Sequence, residues 1–432
     1  MKNIRSVVFW FFDFLKGGNI KRHYDEIKFI NEHYKEKEAI DIRERNLVRV
    51  LNYATQHVPF YKEYANYKNI ANFPVINKNI VRDNIKQFLS PQYDMEALKK
   101  MSTSGSTGTP FTVYMDKKKV ERNHADFIWG YELAGFYFGE RMYRLKSVTE
   151  INKKSRIESF SKNIITKDTT NLSPDTLKRF LNDLRKDKSK KMMGGYASSY
   201  TALSQNVEIQ DVLGIDIRCI ITGSEALPDT TKQSLKELFN CPVYSRYSNM
   251  ENGLLAQQYD DSDDFLINVG SYFIEILAFD TDEPVKKGER GRIVVTDLFN
   301  YAMPLVRYDT GDVGIYDENS TCDRNVPVLK VVEGRRRDFI LDSRGGLISP
   351  SVISTLMWVY SEILQFQFIQ EDQKEYLIRL NCKDRFENES ELIQDYKKFL
   401  GEDAVIRIEY VSEIPLLKSG KRKYIINNYK TI

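Results

Sequence analysis

The first regular pattern along the chain is a helical one in its charged N-terminal part. In the stretch NLVRVLNYATQHVPFYKEY, apolar side chains recur every three to four positions, at Leu47, Val50, Leu51 and Ala54. This spacing places them on one face of a helix, and Pro59 is expected to end that helix. We interpret this part of the chain as a helical scaffold.

From about residue 100 the pattern changes to short β-branched runs that alternate with helical ones. The stretch IRCIITGSEALPDTTKQSLKELFNCPVYSRY shows one such unit: an apolar strand at 217–221, a Gly-Ser turn, a helix after Pro228 and a second strand that ends near Tyr244. The alternation predicts an α/β domain with layered sheets. Ligands of such sheets bind at the carboxyl ends of the strands, where these turns lie.

The pattern changes again after VVEGRRRDFILDSRGG. Beyond it, LQFQFIQEDQKEYLIRLNC is typical of a hairpin, ESELIQDYKKFLG of a helix and AVIRIEYV of a further strand. We therefore expect two domains, a large α/β domain over residues 1–334 and a small α+β domain over residues 335–432, with the boundary near Arg335 to Asp338. A chain of 432 residues is longer than one hydrophobic core usually reaches, which favours the same division.

The N-terminal stretch MKNIRSVVFWFFDFLKGG holds an apolar run from Val7 to Leu15, which Asp13 interrupts and basic residues flank. The run is too short to span a bilayer, and the small-residue cleavage site of a secretory signal does not follow it. We expect a helix that packs its aromatic residues on the core. A peripheral contact of residues 1–18 with a membrane surface is the alternative.

Composition narrows the classes of function. The chain interleaves 64 Lys and Arg with 61 Asp and Glu, and its formal net charge is only +3, which argues against nucleic acid as a partner. Its four cysteines form no CxxC pair, so they indicate neither a zinc knuckle nor a disulfide framework, and they fit a reducing cytoplasm. The four histidines lack the spacing of metal ligands, so catalysis must rest on other residues.

The run STSGSTGTPF, residues 102–111, combines glycines with hydroxyl side chains. Glycine permits a close backbone approach, and successive N–H groups and hydroxyls donate hydrogen bonds without charge, which is the chemistry of an anion-binding loop. A Walker A loop is disfavoured, because Thr109 and Pro110 follow Gly108 where that motif has Lys and then Ser or Thr. A phosphate-binding loop and a flexible surface loop are both open at this point.

Four further motifs follow this run in order: RYSNMENG (246–253), RYDTGDVG (307–314), GRRRDFILDSRGG (334–346) and PLLKSGKRK (415–423). Together they resemble the adenylate-forming ligases, and within them the phenylacetate–CoA ligases and the CapK-type proteins of capsule polysaccharide biosynthesis. YATQHVPFYKEY, FPVINKNIVRDN and GGYASSYTALSQ are similar to the same branch. The resemblance implies a large adenylation domain and a small mobile C-terminal domain.

The resemblance also implies a reaction. ATP and a small-molecule carboxylic acid give an acyl-adenylate and pyrophosphate, and the acyl group then passes to CoA or to another nucleophile. Carboxylate attack on the α-phosphorus brings two anions together, so such a site must neutralise charge and hold the reactants in line. ATP and Mg²⁺ are the cofactors implied, with coenzyme A as acceptor in the thioester-forming case.

Residue by residue, the resemblance assigns a nucleotide site. It implies that the glycine-rich loop holds the β- and γ-phosphates, that two residues of TGSEAL line the adenine pocket, and that a tyrosine stacks on the base. One carboxylate would hold Mg²⁺ and act in catalysis, another would accept from both ribose hydroxyls, and an arginine would touch the nucleotide at the domain junction. In that order the residues are Ser104, Gly105, Ser106, Thr107 and Gly108; Ser224 and Glu225; Tyr247; Glu251; Asp312; and Arg335.

The last motif assigns a second catalytic residue. Lys421 of KSGKRK matches the lysine of the C-terminal domain whose ammonium reaches the α-phosphate and the acyl oxygen as charge develops, and Lys418 is the runner-up. Tyr196, Ala197 and Ser198 of GGYASSY match the segment near the substrate carboxylate. No position identifies the acid itself.

Two motifs depart from the family pattern. Ser248 stands where that pattern has glycine, Met250 where it has a hydroxyl residue, and Arg337 where it commonly has Asp or Lys at the hinge. Three functions are therefore open: a CoA-dependent acid ligase, a ligase that forms an amide with an amine or sugar of a surface polysaccharide without CoA, and a catalytically impaired nucleotide-binding component of a glycan-assembly complex.

Overall fold

The computed structural model describes residues 3–103, 111–146, 162–168, 174–260, 262–318, 326–335, 340–348, 353, 356–357, 360, 362–382, 386–415 and 423–429. The helices in these ranges are α1 (Ile4–Leu15), α2 (Asn19–Glu32), α3 (Lys37–His57), α4 (Lys78–Asp83), α5 (Ile85–Phe88), α6 (Lys117–Leu133), α7 (Pro174–Lys186), α8 (Ala197–Gln205), α9 (Ile209–Val212), α10 (Asp229–Phe239) and α11 (Glu389–Leu400). Short 3₁₀ turns span Pro59–Tyr64, Ile70–Asn72 and Met95–Ala97.

The strands in the same ranges are β1 (Ile76–Asn77), β2 (Lys99–Thr103), β3 (Phe111–Met115), β4 (Arg141–Lys146), β5 (Ile164–Asp168), β6 (Lys191–Tyr196), β7 (Ile220–Gly223), β8 (Val243–Asn249), β9 (Gly253–Gln258), β10 (Phe265–Ile267), β11 (Tyr272–Leu277), β12 (Arg290–Asp297), β13 (Tyr308–Asp317), β14 (Val328–Arg335), β15 (Ile340–Leu341), β16 (Leu347–Ile348), β17 (Ile363–Gln370), β18 (Glu375–Cys382), β19 (Val405–Tyr410) and β20 (Ile425–Asn427). Together these elements confirm the predicted α/β fold class.

The chain forms two compact units, each built from two segments. The first comprises Met1–Glu140 and Tyr244–Val332, and the second comprises Arg141–Val243 and Glu333–Ile432. The predicted boundary at residue 335 stays a prediction, and the two units are described separately below.

The first unit contains a mainly antiparallel sheet in the strand order β11-β12-β13-β14-β10-β9-β8, to which β1 adds in parallel at β13. A separate antiparallel pair, β2 and β3, aligns Thr103 with Phe111. Thr103 ends β2 and Phe111 begins β3, so the strand ends on either side of the predicted phosphate loop lie side by side.

Helices pack on this sheet through the faces that their sequences indicate. Helix α3 buries Val50, Leu51 and Ala54 and ends at His57, just before a 3₁₀ turn begins at Pro59. The helix predicted from the 3.6-residue spacing is thereby confirmed. Helix α6 packs against a second core of this unit through its apolar residues.

The second unit contains a parallel sheet in the order β5-β4-β6-β7. Helices α7, α8 and α10 contribute apolar side chains to one core with these strands. Parallel strands need such crossover connections, and the alternation of short apolar runs with helical ones reflects them.

The sequence predicted strands β7 and β8, but one end of each differs from the end that the structure shows. Strand β7 begins at Ile220 instead of residue 217, because buried apolar residues continue into the irregular segment before it. Strand β8 runs on to Asn249 instead of ending near Tyr244, because pairing with β9 extends it as far as the Asn249–Gly253 pair. Apolar runs show that a strand exists more clearly than where its ladder ends.

The C-terminal segment of the second unit forms its own sheet in the order β19-β18-β17-β20. Alternate residues Tyr376, Ile378 and Leu380 of β18 are buried, as a half-buried strand requires. Helix α11 joins them in a core drawn from residues 340–425 alone. The predicted hairpin, helix and strand correspond to β17 with β18, α11 and β19.

Helix α1 is anchored at the start of the first unit. The Phe9 ring lies 4.4 Å from that of Phe138, and the Trp10 ring lies 5.8 Å from that of Tyr24. The predicted packing of aromatic residues on the core is confirmed for these two, whereas Phe11, Phe12 and Phe14 are exposed. Within the described residues, no helix is both long enough and apolar enough to cross a membrane.

Candidate active site

Two predicted nucleotide-binding residues of the first unit are in direct contact. The Tyr247 hydroxyl in β8 donates to Asp312 Oδ2 in β13 at 2.8 Å and lies 3.2 Å from Thr310 Oγ1. Burial and the neighbouring Asp312 carboxylate raise the pKa of Tyr247 well above its usual value, so the phenol stays protonated and remains a donor. The tyrosine therefore orients one carboxylate oxygen of Asp312. The predicted stacking of its ring on adenine stays a prediction.

A turn within β13 presents Asp312. Asp309 Oδ1 accepts from the Gly311 backbone N–H at 2.8 Å, and Gly311 has a φ of 77°, in the left-handed region that favours glycine. Arg292 NH1 lies 3.0 Å from Asp309 Oδ2, and the pairing of β12 with β13 shifts register next to this arginine. Asp309 thus stabilises the turn in β13 and links that strand to Arg292 of β12.

The predicted metal-binding carboxylate, Glu251, is buried in the turn between β8 and β9. The Tyr308 hydroxyl donates a long hydrogen bond to Glu251 Oε1, at 3.4 Å. The Tyr308 ring in turn lies parallel to the ring of Phe111, with centroids 6.3 Å apart. Because Phe111 is the last residue of the run STSGSTGTPF and the first of β3, one chain of contacts links the Glu251 carboxylate to the strand that follows the predicted phosphate loop.

A buried ionic network supports the turn that carries Glu251. The Lys119 ammonium in α6 lies 2.6 Å from Asp297 Oδ2, with both side chains almost fully buried, and donates to the Tyr272 hydroxyl at 3.2 Å. That hydroxyl donates to the Asn252 carbonyl at 2.7 Å. A chain of polar contacts thus runs from a buried carboxylate to the residue after Glu251.

The second unit brings together two other predicted segments. Gly223 of β7 pairs with Tyr196 of β6, so Ser224 and Glu225 follow one strand where Tyr196 ends its neighbour. Both strands are parallel, so these residues lie at their carboxyl ends, as predicted for a ligand site. Burial, and then the Glu225 carboxylate, raise the pKa of Tyr196. Ser224 has a φ of 69°, the kind of backbone strain that clusters at functional sites.

Glycine is required immediately before Tyr196. A Cβ at Gly195 would lie 1.8 Å from the Leu145 carbonyl oxygen of the neighbouring strand β4, so no side chain fits there. The second glycine of GGYASSY thereby lets the backbone approach β4 and directs the chain into α8, which begins at the buried Ala197.

Several predicted site residues lie outside the described residues. These are the phosphate-loop residues 104–108 and Lys421, and the side chains of Ser198 and Arg335. Their predicted roles stay predictions.

The Glu251 carboxylate fits a magnesium ion whose other ligands would be phosphate oxygens of the substrate and water. In the described ranges, no group of three His, Cys, Asp or Glu side chains is arranged to hold a metal. Glu251 therefore offers a single carboxylate. Mg²⁺ is commonly held by one or two carboxylates together with phosphate oxygens and water, so a lone glutamate beside a polyphosphate suits it.

Comparison with known sequences agrees with the motifs. Residues 340–428 match the family model described as the CapK C-terminal domain. Protein CapK of Staphylococcus aureus is 23% identical over 441 aligned positions, which cover 96% of this chain and 95% of that protein. Phenylacetate-coenzyme A ligase of Thermus thermophilus is 33% identical over 91 residues, which cover 21% of this chain and 20% of that enzyme.

Comparison with solved structures decides the fold. The structure of 2-hydroxyisobutyryl-CoA ligase in the postadenylation state, in complex with R3-HIB-AMP, matches with a TM-score of 0.71 and 17% identity, over 92% of this chain and 91% of that one. The chain is a CapK homologue with the adenylate-forming ligase fold. The resemblance predicted from the motifs and the predicted fold class are both confirmed.

Sequence reasoning missed three residues of this CapK homologue that support its candidate site. Tyr308 and Thr310 lie inside the quoted motif RYDTGDVG, so their polar side chains beside Asp312 were a usable signal. Lys119 gave no signal, because it ends a run of three lysines that is typical of a solvated surface.

Proposed function

We propose that this CapK homologue is an acid ligase: it activates a carboxylic acid with ATP, forms an acyl-adenylate with release of pyrophosphate, and transfers the acyl group to coenzyme A. The observation that carries the proposal is the contact between Tyr247 and Asp312. It orients a carboxylate at the position that the family motif gives to the ribose-binding aspartate. The ligases with this fold that the chain matches support the acid-ligase class.

The described residues would act mainly by binding and orienting. Asp312 accepts hydrogen bonds from the two ribose hydroxyls, and Tyr247 fixes the direction of its oxygens. Glu251 would hold a magnesium ion, which when bound would offset the negative charge of the phosphates. The arrangement reduces repulsion between the substrate carboxylate and the triphosphate and keeps the two in line, which is what this reaction chiefly needs.

The second unit carries the residues that the family resemblance assigns to adenine and to the acid. Ser224 and Glu225 line the adenine pocket, and Tyr196 with Ala197 lies near the substrate carboxylate. The positions of these residues at the carboxyl ends of β6 and β7 support this assignment. A role in surface polysaccharide biosynthesis belongs to the same proposal, with a sugar acid among the candidate substrates.

The thiol chemistry of the chain is consistent with a reducing cytoplasm as its proposed location. Among the described residues, Cys219, Cys241 and Cys382 form no disulfide, and the first two are buried. Burial raises the pKa of the Cys241 and Cys382 thiols, which keeps them protonated and unreactive.

The test is pyrophosphate release from ATP and Mg²⁺ across a panel of carboxylic acids and sugar acids, with and without coenzyme A. Pyrophosphate release that requires the acid, together with consumption of the acid that requires CoA, supports the proposal. Pyrophosphate release that requires the acid, does not depend on CoA and needs an amine or sugar acceptor favours the amide-forming ligase. ATP binding without release on any acid favours the nucleotide-binding component, which the substituted positions Ser248 and Met250 motivate.

A smaller change tests the role of Tyr247. Tyr247→Phe is expected to raise the Kd for ATP by roughly tenfold, because one hydrogen bond to a charged carboxylate is worth about 1.5 kcal/mol net. Titration of ATP into the purified protein measures this. Tyr316→Phe is the matched control, since it removes a hydroxyl on the same strand that faces Tyr34. Equal ATP affinity in both variants would contradict the orienting role.

A further inference from the structure

Helix α1 exposes a broad apolar face along its whole length. Seven large apolar side chains of this twelve-residue helix are between 46% and 80% exposed: Ile4, Val7, Val8, Phe11, Phe12, Phe14 and Leu15. At 100° per residue they occupy an arc of about 160° on one side of the helix. The opposite side carries Phe9 and Trp10, which pack on the core. The exposed face is thus an organised stripe.

The fold holds this face outward. Asp13 in α1 is buried, and its carboxylate oxygens accept from the Ile20 and Lys21 backbone N–H groups at 3.2 and 2.9 Å, which ties α1 to the start of α2. On the other side, a Cβ at Gly139 would lie 3.0 Å from the Ser6 backbone nitrogen, so α1 lies directly against this glycine. These contacts hold the opposite side of the helix against the first unit and leave the stripe at the surface.

The charges beside the stripe point to one class of partner. Among residues 3–22 the basic residues are Arg5, Lys16, Lys21 and Arg22, and Lys21 forms an ion pair with Asp25. The single acidic residue in this range, Asp13, is buried and accepts from backbone amides. A helix with an exposed aromatic and aliphatic stripe beside basic residues fits the interface of an anionic bilayer. Twelve residues rise about 18 Å, less than the hydrocarbon thickness, so α1 would lie in the surface plane.

We propose that α1 inserts its exposed face into the headgroup region of an anionic membrane and holds the protein at that surface. Seven large apolar side chains exposed side by side form a contiguous patch, which in soluble proteins commonly marks an interaction site. The stripe and the basic residues belong to the first unit alone, so the proposal does not depend on the acid-ligase activity.

The test is co-sedimentation of the full chain with vesicles. Vesicles of phosphatidylcholine with about 30% phosphatidylglycerol are expected to bind the protein, and added salt is expected to weaken the binding. The double variant Phe11→Ser/Phe14→Ser is expected to lower the partition coefficient at least tenfold. The control Ile209→Ser/Leu213→Ser, at two side chains of similar exposure in the second unit, is expected to change it less than twofold.

Thermal melting of both variants checks that they remain folded. Absence of vesicle binding by the wild type overturns the proposal, and so does equal loss of binding in the two double variants. A wild-type dimer that Phe11→Ser/Phe14→Ser converts to a monomer, without vesicle binding, would show that a second copy covers the stripe instead.

Discussion

Replacing Lys421 with alanine is expected to slow acid-dependent pyrophosphate release by about 10²- to 10³-fold. The resemblance places its ammonium on the α-phosphate and the acyl oxygen, where negative charge develops only as the reaction proceeds. Removing a preorganised donor of this kind costs about 3–4 kcal/mol in the transition state. Ground-state binding of ATP rests on other residues, so the Kd for ATP is expected to change little.

Two neighbouring lysines make this prediction specific. Lys423→Ala is the matched control, because it removes another basic side chain of the same motif and keeps the backbone carbonyl that accepts from Gln367 Nε2 at 2.8 Å. Lys418→Ala tests the runner-up. Release that falls steeply in Lys418→Ala and survives in Lys421→Ala would mean that the catalytic lysine is Lys418. If pyrophosphate release is unchanged in both variants, neither lysine takes part in catalysis.

The second large effect is on stability. Lys119→Met is expected to lower the free energy of unfolding by about 3–5 kcal/mol, because it leaves the Asp297 carboxylate buried without its counter-ion. It also removes the donor to the Tyr272 hydroxyl, which supports the turn of Glu251. Urea denaturation measures the loss as a lower midpoint with an unchanged slope.

The same helix offers the control. Lys118 is exposed and adjacent in sequence, and Lys118→Met is expected to change stability by no more than about 0.5 kcal/mol. The double variant Lys119→Met/Asp297→Asn is expected to recover part of the loss. The asparagine oxygen still accepts from the Phe299 and Asn300 backbone N–H groups, and no unpaired charge remains buried. Equal unfolding midpoints for Lys118→Met and Lys119→Met would contradict the importance of the ion pair.

Helix α6 shows where sequence patterns stop being informative about the fold. Lys119, Arg122 and Asp126 recur at i, i+3 and i+7, a spacing that normally marks a solvated helix face. In the structure all three are fully buried, and Arg122 donates to Ser271 Oγ at 2.8 Å and to the Gly270 carbonyl at 2.6 Å. The partners come from a distant segment, so no local pattern could indicate them.

By contrast, elements whose signal is local were predicted well. Helix α3, the hairpin of β17 and β18, and α11 each carry their own periodicity and turn residues, and all three formed where expected. Part of the candidate site was predictable for a different reason, because Tyr247 and Asp312 lie in motifs of a known family. Their mutual hydrogen bond joins segments 65 residues apart and could be seen only in the structure.

The buried charged residues of α6 also have a consequence while the chain is being synthesised. Asp297 and Ser271 leave the ribosome long after Lys119 and Arg122, by an interval on the order of ten to forty seconds for the ion pair at ordinary rates of synthesis. Until then Lys119, Arg122 and Asp126 expose charged groups to water, whereas apolar side chains in their place would add to a site for unwanted association. These residues thereby reduce the apolar surface that the unfinished chain exposes while residues 141–243 are synthesised.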